Sequence, residues 1–197
     1  MSRDATDAVL RAGERVYLRH PVEGDAAEFV GLRRASRGLF ELWEPGPGDY
    51  ADPVPDGFSR GQFERFLAAS DLPEAQRHLI CARDSGAIVG QVSLTQIFRG
   101  PFCNAVMGYW VGVPFQRRGY ASEGVRLAIA RAFEDLGLHR VEANVIPENV
   151  ASVGVVRAAG MRLEGHSPHY LRINGAWRGH DRYAITREDW GGGPAAG

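Results

Sequence analysis

The chain has 197 residues and a formal net charge of −1, with 44% hydrophobic and 24% charged residues. This length and composition predict a single globular domain with a packed core. The near-neutral charge argues against a general nucleic-acid-binding or membrane-surface function, and no apolar run approaches the roughly 18–20 residues that a membrane helix needs.

The first half of the chain is predicted to contain one strand and two helices. Residues 14–20 have a strand pattern, and residues 23–36 have a helical one. Residues 38–58 contain Gly and Pro throughout and are expected to be irregular. A helix should begin at Ser59, because Gln62 stands three residues on, as in a capping box.

The second half is richer in strand patterns. We expect strands at 77–84, 87–98, 103–113, 139–146, 161–173 and 176–185. Asn174 and Gly175 form a turn signal that joins the last two strands as a hairpin. Residues 121–136 place apolar side chains on one helical face and end at Gly137, and residues 149–159 predict a shorter helix.

These elements predict one α+β domain over residues 14–190, between a flexible arm at 1–13 and a flexible tail at 191–197. Cys81 and Cys103 have no C-x-x-C spacing, so we expect no disulfide framework and a reducing, cytoplasmic environment. The N-terminus has no apolar segment of the kind that a signal peptide carries. We expect no metal site.

The segment 116–122, QRRGYAS, lies where a predicted strand leads into a helix. The first N–H groups of a helix have no partner within it and carry the positive end of its dipole, so an anion fits there. Gly119 lets the backbone approach an anion closely, and Arg117 and Arg118 can add charged contacts. These observations leave two interpretations open, a phosphate site or a polar helix entry with two solvated arginines.

The surrounding sequence resembles the GNAT N-acetyltransferases. Gln116, Gly119 and Ala121 stand at the Q/R-x-x-G-x-G/A spacing of that superfamily's acetyl-CoA pyrophosphate loop. MGYWVGV before the loop, ENVASVGVVRAAGM after it and YLRINGAWRGH near the end are similar to the RimJ/RimL branch, which acetylates ribosomal proteins at alanine. The resemblance implies a GNAT fold, with a central mixed, mostly antiparallel sheet and helices on both faces. The sheet should be splayed between the family's fourth and fifth strands, here 103–113 and 139–146.

The resemblance also implies which residues bind acetyl-CoA. The strand before the loop would offer backbone groups to the pantetheine arm, and the loop would hold the pyrophosphate. Asn149 and Ser152 match the family's N-x-x-S segment, although a helix N-cap is an equal alternative for Asn149. Asn144 is a candidate contact in the cofactor cleft, or else an outward-facing strand residue. The cofactor-binding residues implied are Val111, Val113, Gln116, Arg117, Arg118, Gly119, Tyr120, Ala121, Ser122, Asn144, Asn149 and Ser152.

The implied reaction is direct attack of an amine on the thioester through a tetrahedral intermediate, which a backbone N–H of the strand before the loop would stabilise. Many GNAT enzymes carry a thiolate-protonating tyrosine where this chain has Val156. Ser152 is therefore our candidate donor, against a serine bonded to its own backbone, and Tyr170 is a second, against simple packing. Glu142 is the candidate general base, against a solvent-facing carboxylate. We assign Glu123 to the helix dipole.

Residues 38–58 lie where the family places its variable acceptor loop, and they carry five acidic and no basic residues. They would attract a cationic acceptor, or else form an acidic surface without a partner. The candidate acceptor-binding residues are Trp43, Glu44, Tyr50 and Trp177.

We expect the acceptor to be a primary amine, foremost the α-amine of a ribosomal or other protein N-terminus. An α-amine with a pKa of about 7.7–8.0 is partly neutral at cytosolic pH, whereas a lysine amine near about 10.4 is not. Two other functions stay open at this point, namely acetylation of a polyamine, antibiotic or other small amine, and acyl-CoA binding without catalysis. We expect no nucleic-acid or membrane partner, and a monomer or a homodimer.

Overall fold

The computed structural model describes residues 9–51 and 54–191. Its strands are β1 (Val9–Ala12), β2 (Val16–Arg19), β3 (Asp71–Leu72), β4 (Ala75–Ala82), β5 (Ile88–Phe98), β6 (Asn104–Val111), β7 (Arg140–Val145), β8 (Arg162–Ile173) and β9 (Ala176–Thr186). Its α-helices are α1 (Ala26–Ala35), α2 (Arg37–Trp43), α3 (Arg60–Ala68), α4 (Tyr120–Ala130), α5 (Val150–Ala158) and α6 (Arg187–Gly191). A π-helical turn, Arg131–Asp135, extends α4.

The strands form one sheet in the order β1-β2-β4-β5-β6-β7-β9-β8, with β3 paired to β4. β6 and β7 are parallel, and the other pairs among the described strands are antiparallel. A parallel pair needs a crossover connection, and α4 provides it between β6 and β7. This is the mixed, mostly antiparallel sheet that the resemblance implied.

Helices cover both faces of the sheet. On one face, the apolar stripe predicted for α4 is buried, with Val125, Ile129 and Phe133 at most 4% exposed. On the other face, α1, α2 and α3 pack through an aromatic cluster of Phe29, Phe40, Phe58, Phe63, Phe66 and Trp110. Each large side chain buried in this way contributes about 1.5–3 kcal/mol, so the two helical layers fix the strands between them.

The ends of the domain differ from the sequence-based expectation. Residues 9–12, expected within a flexible arm, form β1, which pairs with β2, and Arg11 donates a hydrogen bond to Asp135 beyond α4. At the other end, α6 includes Gly191, which we expected to begin a flexible tail. Residues 1–8 and 192–197, the remainder of the predicted arm and tail, lie outside the described residues.

The stretch 38–58 contains most of helix α2, although its Gly and Pro content predicted an irregular loop. The helix buries Phe40 against Trp110 and Phe58, at ring-centre distances of 5.1 and 6.0 Å. The Arg33 guanidinium lies 3.9 Å from the centre of the Phe40 ring. Tertiary packing therefore stabilises a helix that local propensity does not favour.

None of the helices within residues 9–51 and 54–191 is both long and apolar enough to cross a membrane.

Candidate active site

The sheet opens between β6 and β7. The two strands pair only where residues 104–106 lie beside residues 140–142, and they separate after that. A cleft of about 500 Å³ occupies the opening, lined by residues 107–111 of β6 and 143–145 of β7. β6 and β7 correspond to the two strands that the resemblance expected to splay, so that expectation is confirmed.

The backbone of β6 presents hydrogen-bonding groups to this cleft. Residues of an antiparallel strand bond alternately to its two sides, and the Gly112 N–H donates to the Val89 carbonyl on the β5 side at 2.9 Å. The backbone groups of Tyr109 and Val111, and the Met107 carbonyl, therefore point away from β5, towards the opening; the Met107 N–H belongs to the last bridge between β6 and β7. Their N–H and C=O groups suit an extended, amide-bearing ligand such as a pantetheine arm.

The loop 116–122 enters α4 at the cleft. Gly119 is the N-cap residue of α4, with a φ of 81° in the left-handed region that favours glycine. A Cβ at this position would lie 2.5 Å from the Nη1 atom of Arg15. The first N–H groups of α4 and the Arg15 guanidinium therefore converge on the loop, an arrangement that suits a diphosphate.

Arg15 reaches the loop because the turn between β1 and β2 is fastened to α4. The Glu123 carboxylate accepts hydrogen bonds from the N–H groups of Arg15 and Val16 at 2.8 and 3.3 Å. A side chain on Gly13 would overlap that carboxylate and displace it, so glycine at this position keeps both hydrogen bonds in place. Glu123 lies in the first turn of α4, as expected, and its hydrogen bonds give it a structural role.

The first turn of α5 also lines the cleft. Asn149 Oδ1 accepts the Ser152 N–H at 3.1 Å, which is N-cap geometry. The Tyr109 hydroxyl donates to the Ser152 carbonyl at 3.0 Å, and burial raises the pKa of Tyr109 to about 12, so this hydroxyl stays protonated. Within the described residues the Ser152 hydroxyl makes no hydrogen bond of its own, which leaves it available to a ligand.

Helix α2 lines the cleft from the opposite face of the sheet through Leu39, Phe40 and Trp43, and its C-cap residue Glu44 does so too. The cleft therefore passes through the sheet, from the α4 and α5 face to the α2 face. Glu44 is the carboxylate on the α2 side, and it accepts a hydrogen bond from Arg33 at 2.7 Å. An amine that enters from this side would meet aromatic carbon and one carboxylate.

The hairpin of β8 and β9 holds the loop that follows α2. The Asp49 carboxylate accepts hydrogen bonds from the N–H groups of Gly46, Asn174 and Gly175 at 2.8, 2.6 and 2.7 Å. We refer to these contacts as the Asp49 latch.

Internal contacts use several of the acidic groups that we expected to attract a cationic acceptor. Asp49 forms the latch, Glu44 is paired with Arg33, and Asp56 accepts the Phe58 N–H at 3.3 Å. Asp52, a fourth member of that acidic group, lies outside the described residues.

A polar cluster from β7, β8 and β9 borders the cleft. Asn144 donates from Nδ2 to the Tyr170 hydroxyl at 3.0 Å, and the Tyr170 ring packs 5.1 Å from the ring of His180. His180 is only 4% exposed and lines the cleft. Among the described residues, the Asn144 Oδ1 atom is buried without a hydrogen-bond partner. This orphaned acceptor fits a ligand that brings an N–H group.

The cleft brings together most of the residues predicted for the site. Its lining includes Trp43, Glu44, Val111, Gln116, Arg117, Gly119, Tyr120, Ala121, Ser122, Asn144, Asn149 and Ser152. The predicted residues outside the lining are Tyr50, Val113, Arg118, Glu142, Tyr170 and Trp177.

Two of these exclusions have clear physical causes. The strand ends at Val111, two residues earlier than expected, and the Val113 N–H donates to the Ser36 hydroxyl at 2.9 Å. Glu142, the predicted base, accepts a hydrogen bond from Arg140 at 2.9 Å. Val113 therefore has no backbone N–H to offer a pantetheine arm, and Glu142 belongs to a partly buried ion pair with Arg140.

Three residues of the site, Tyr109, His180 and Arg15, were not predicted from the sequence. Tyr109 stands in the MGYW segment, where its alternation with apolar residues resembled core packing. His180 stands beside Gly179 in WRGHD, and a polar residue in a strand is the signal that could have found it. Arg15 gave no signal, since its position depends on how the β1–β2 turn folds over α4.

The amino-acid sequence also matches a known protein family. Residues 15–162 match the model of the acetyltransferase (GNAT) domain family.

Individual relatives cover nearly the whole chain. The probable N-acetyltransferase YjcK of Bacillus subtilis is 33% identical over 90% of this chain and 97% of its own length. The [ribosomal protein uS5]-alanine N-acetyltransferase of Escherichia coli is 33% identical over 90% of each chain. The structure of Mycobacterium smegmatis RimJ in complex with CoA-disulfide superposes with a TM-score of 0.80 at 30% identity, over 88% of this chain and 83% of that one.

Proposed function

The chain belongs to the GNAT family and is an acetyl-CoA-dependent N-acetyltransferase, and we propose that its acceptor is the α-amine of a protein N-terminus. Ribosomal proteins are the first candidates, because the E. coli relative acts on alanine of ribosomal protein uS5. Such an acceptor also implies a cytoplasmic enzyme.

The observation that carries the proposal is the passage of the cleft through the sheet. On one face, the loop before α4 and the first turn of α5 line it, and on the other face α2 does. A donor held by the α4 loop can therefore place its thioester in the opening, while an acceptor approaches from the α2 side.

The donor side uses the backbone more than side chains. We assign the pyrophosphate to Gly119 and the N–H groups that follow it, with Arg15 as an added cation. We assign the pantetheine amides to the cleft-facing backbone of Met107, Tyr109 and Val111. A cleft-facing N–H of this strand would also stabilise the oxyanion of the tetrahedral intermediate. Ser152, with its hydroxyl unbonded in the described structure, would donate to the departing thiolate.

The acceptor side favours a peptide over a small amine. Tyr50 and Trp177 are 51% and 60% exposed, and they stand on the two segments that the Asp49 latch joins. Exposed aromatic side chains of this kind provide contact area for residues that follow an N-terminal amine. A peptide acceptor also needs little activation, because its α-amine is partly neutral near pH 7.

The test is release of CoA thiol from acetyl-CoA with two acceptors, an alanine-first peptide and spermidine. We expect kcat/KM for the peptide to exceed that for spermidine by at least tenfold. Faster turnover of spermidine would move the acceptor to the small amines. Tight CoA binding without thiol release for any amine would identify an acyl-CoA-binding module.

A further inference from the structure

We infer that His180 is the general base that accepts the proton of the attacking amine, an inference that rests on the acetyl transfer proposed above. His180 lies on β9, lines the cleft, and is 4% exposed. Successive residues of a strand point to opposite faces of a sheet. Tyr183 and Ile185 of β9 pack in the core beneath α4, so His180 lies on the face that α2 covers. This is the side from which the acceptor amine approaches.

The hydrogen bonding of the ring fixes which nitrogen can act. The Nδ1 atom lies 3.2 Å from the carbonyl oxygen of Arg178. A carbonyl oxygen can only accept, so Nδ1 carries the hydrogen and Nε2 carries the lone pair of the neutral ring. The Tyr170 ring, 5.1 Å away, packs against the imidazole and restricts its rotation. Tyr170 is therefore a positioning residue for His180.

The surroundings keep this ring neutral. Burial lowers the pKa of His180, and the charges of Arg178 and His166 lower it further, while the Arg178 carbonyl raises it. A neutral imidazole near pH 7 is the form that can accept a proton.

The charged and titratable groups around the ring come from every neighbouring element. They are Arg178, Asp181 and Arg182 on β9, His166 and Tyr170 on β8, Glu142 on β7, Glu148 before α5 and Glu44 at the end of α2. Arg178 is 3.5 Å from Glu148, and Glu44 is paired with Arg33. Glu142 is likewise paired with Arg140, so each of these three neighbouring carboxylates lies in an ion pair with an arginine. The neutral imidazole is therefore the base that we assign.

The proton transfer balances without a further reactant. The amine nitrogen forms a bond to the acetyl carbon, and one of its protons passes to His180 Nε2. The carbon–sulfur bond then breaks, and CoA leaves with the electron pair as a thiolate. The thiolate takes up a proton, and the imidazolium returns its own to solvent, which restores the neutral ring.

The experiment measures kcat/KM between pH 5.5 and 9 for the wild-type enzyme and for His180→Gln, using the amine that the wild-type enzyme acetylates fastest. Glutamine keeps a polar group of similar size but cannot act as a base. We expect kcat/KM to fall by about 100-fold or more, with CoA affinity and melting temperature unchanged. Protonation of the substrate amine alone lowers kcat/KM below about pH 8 in both enzymes. The acid limb that belongs to His180, a second and steeper fall at lower pH as the ring gains a proton, should disappear. His166→Gln is the matched control, since His166 is exposed and paired with Asp181 at 2.9 Å, and it should retain that limb.

Adding imidazole to His180→Ala provides a second test. It remains decisive even where the glutamine variant folds poorly. Recovery of activity with imidazole supports the inference, and no recovery overturns it. A His180→Gln enzyme within threefold of wild type, with its acid limb intact, would also overturn it. If the enzyme acetylates another amine but not the peptide, the proposed acceptor is wrong. The role of His180 is then tested with that other amine. A protein that binds CoA and acetylates no amine overturns both.

Discussion

Gly119 is needed for two reasons. Its backbone has a left-handed conformation, and the backbone must lie close to an anion. Its φ of 81° and its place at the start of α4 depend on the absence of a side chain. Gly119→Glu should weaken CoA binding by more than 100-fold, because it adds backbone strain of about 1–3 kcal/mol and a negative charge that faces the phosphates. Calorimetric titration with CoA measures this directly.

Gly137→Glu is the matched control for that substitution. Gly137 also has a positive φ, of 65°, but no atom lies within 4 Å of a Cβ built there, and it follows α4 at the end away from the loop. This variant should bear a similar strain and keep CoA affinity within threefold. Equal CoA affinity in the Gly119→Glu and wild-type proteins would show that this loop does not bind the phosphates of CoA.

Ser152 tests the donor side of the chemistry. Its N–H and carbonyl are used by Asn149 and Tyr109, whereas its hydroxyl has no partner in the described residues. Ser152→Ala should therefore lower kcat by about tenfold or more while the KM for acetyl-CoA changes less. Steady-state kinetics at saturating peptide separate the two constants. An unchanged kcat would show that the Ser152 hydroxyl takes no part in the chemistry, because the cap uses only its backbone N–H.

At the scale of secondary-structure elements, the opening between β6 and β7 determines where the chemistry takes place. The parallel pair ends after residues 104–106, and from there the backbone of β6 bonds to β5 on one side only. The Asp49 latch similarly determines the position of the acceptor loop against the β8–β9 hairpin. Strands β6 and β7 thus form the donor site, and the loop after α2 with the β8–β9 hairpin shapes the acceptor site.

Asp49→Ala should release the acceptor loop without disturbing the donor site. It removes the acceptor of two N–H groups of the hairpin turn, Asn174 and Gly175, and of the Gly46 N–H within the loop itself. We expect the KM for the peptide to rise by about tenfold and the KM for acetyl-CoA to stay unchanged. Each lost hydrogen bond to the charged carboxylate is worth about 1.5–3 kcal/mol, which is enough to free the loop.

Asp84→Ala is the control for the loss of one negative charge, because Asp84 is exposed in the turn between β4 and β5. Its peptide KM should match that of the wild-type enzyme. An Asp49→Ala enzyme with the wild-type peptide KM would show that the latch does not shape the acceptor site.

The sequence predicted the elements whose own pattern is strong. The apolar stripe of α4, the Ser59 cap of α3 and the Asn174 and Gly175 turn are local features, and all three are present. Helix α2 could not be predicted, because Phe40 is held by Trp110, which lies 70 residues further along the chain. Strand β1 likewise depends on its partner β2 and on the far end of α4.

The residues of the candidate site likewise fall into two groups, those that a local motif predicts and those that depend on the fold. The 116–122 loop follows from a local motif and lies at the cleft as expected. Glu142 and His180 could not be ranked from sequence, because the choice depends on partners that only the fold supplies. Arg140 binds the first, whereas β8, β9 and the cleft surround the second.

At the scale of the whole molecule, buried histidines couple stability to pH. His78 is 0% exposed beside His20 and Arg131, and burial lowers the pKa of His78 to about 3, helped by the charge of Arg131. Arg131 donates to His78 Nε2 at 3.1 Å, which requires the neutral ring. The unfolded chain takes up a proton below its ordinary pKa of about 6.5, while the folded chain does not.

Because only the unfolded chain takes up this proton, acid should destabilise the fold. Below about pH 6.5 the unfolded state binds more protons, so the free energy of unfolding should fall as pH decreases, until the folded pKa is reached. His78→Gln, which keeps an acceptor for Arg131, should remove up to about 2 kcal/mol of the loss between pH 7 and pH 5. Urea unfolding at both pH values measures it. His166→Gln should leave the loss unchanged, and an identical loss in the wild-type and His78→Gln proteins would contradict the assignment.

The most direct test of the account is to locate the acetyl group on a product peptide by tandem mass spectrometry. The substrate should begin with alanine and carry one internal lysine, so that an α-amine and an ε-amine compete in the same reaction with acetyl-CoA. The account predicts a single acetyl group, on the α-amine of the alanine. Acetylation of the lysine instead, or of neither amine by an enzyme that binds CoA, would contradict it.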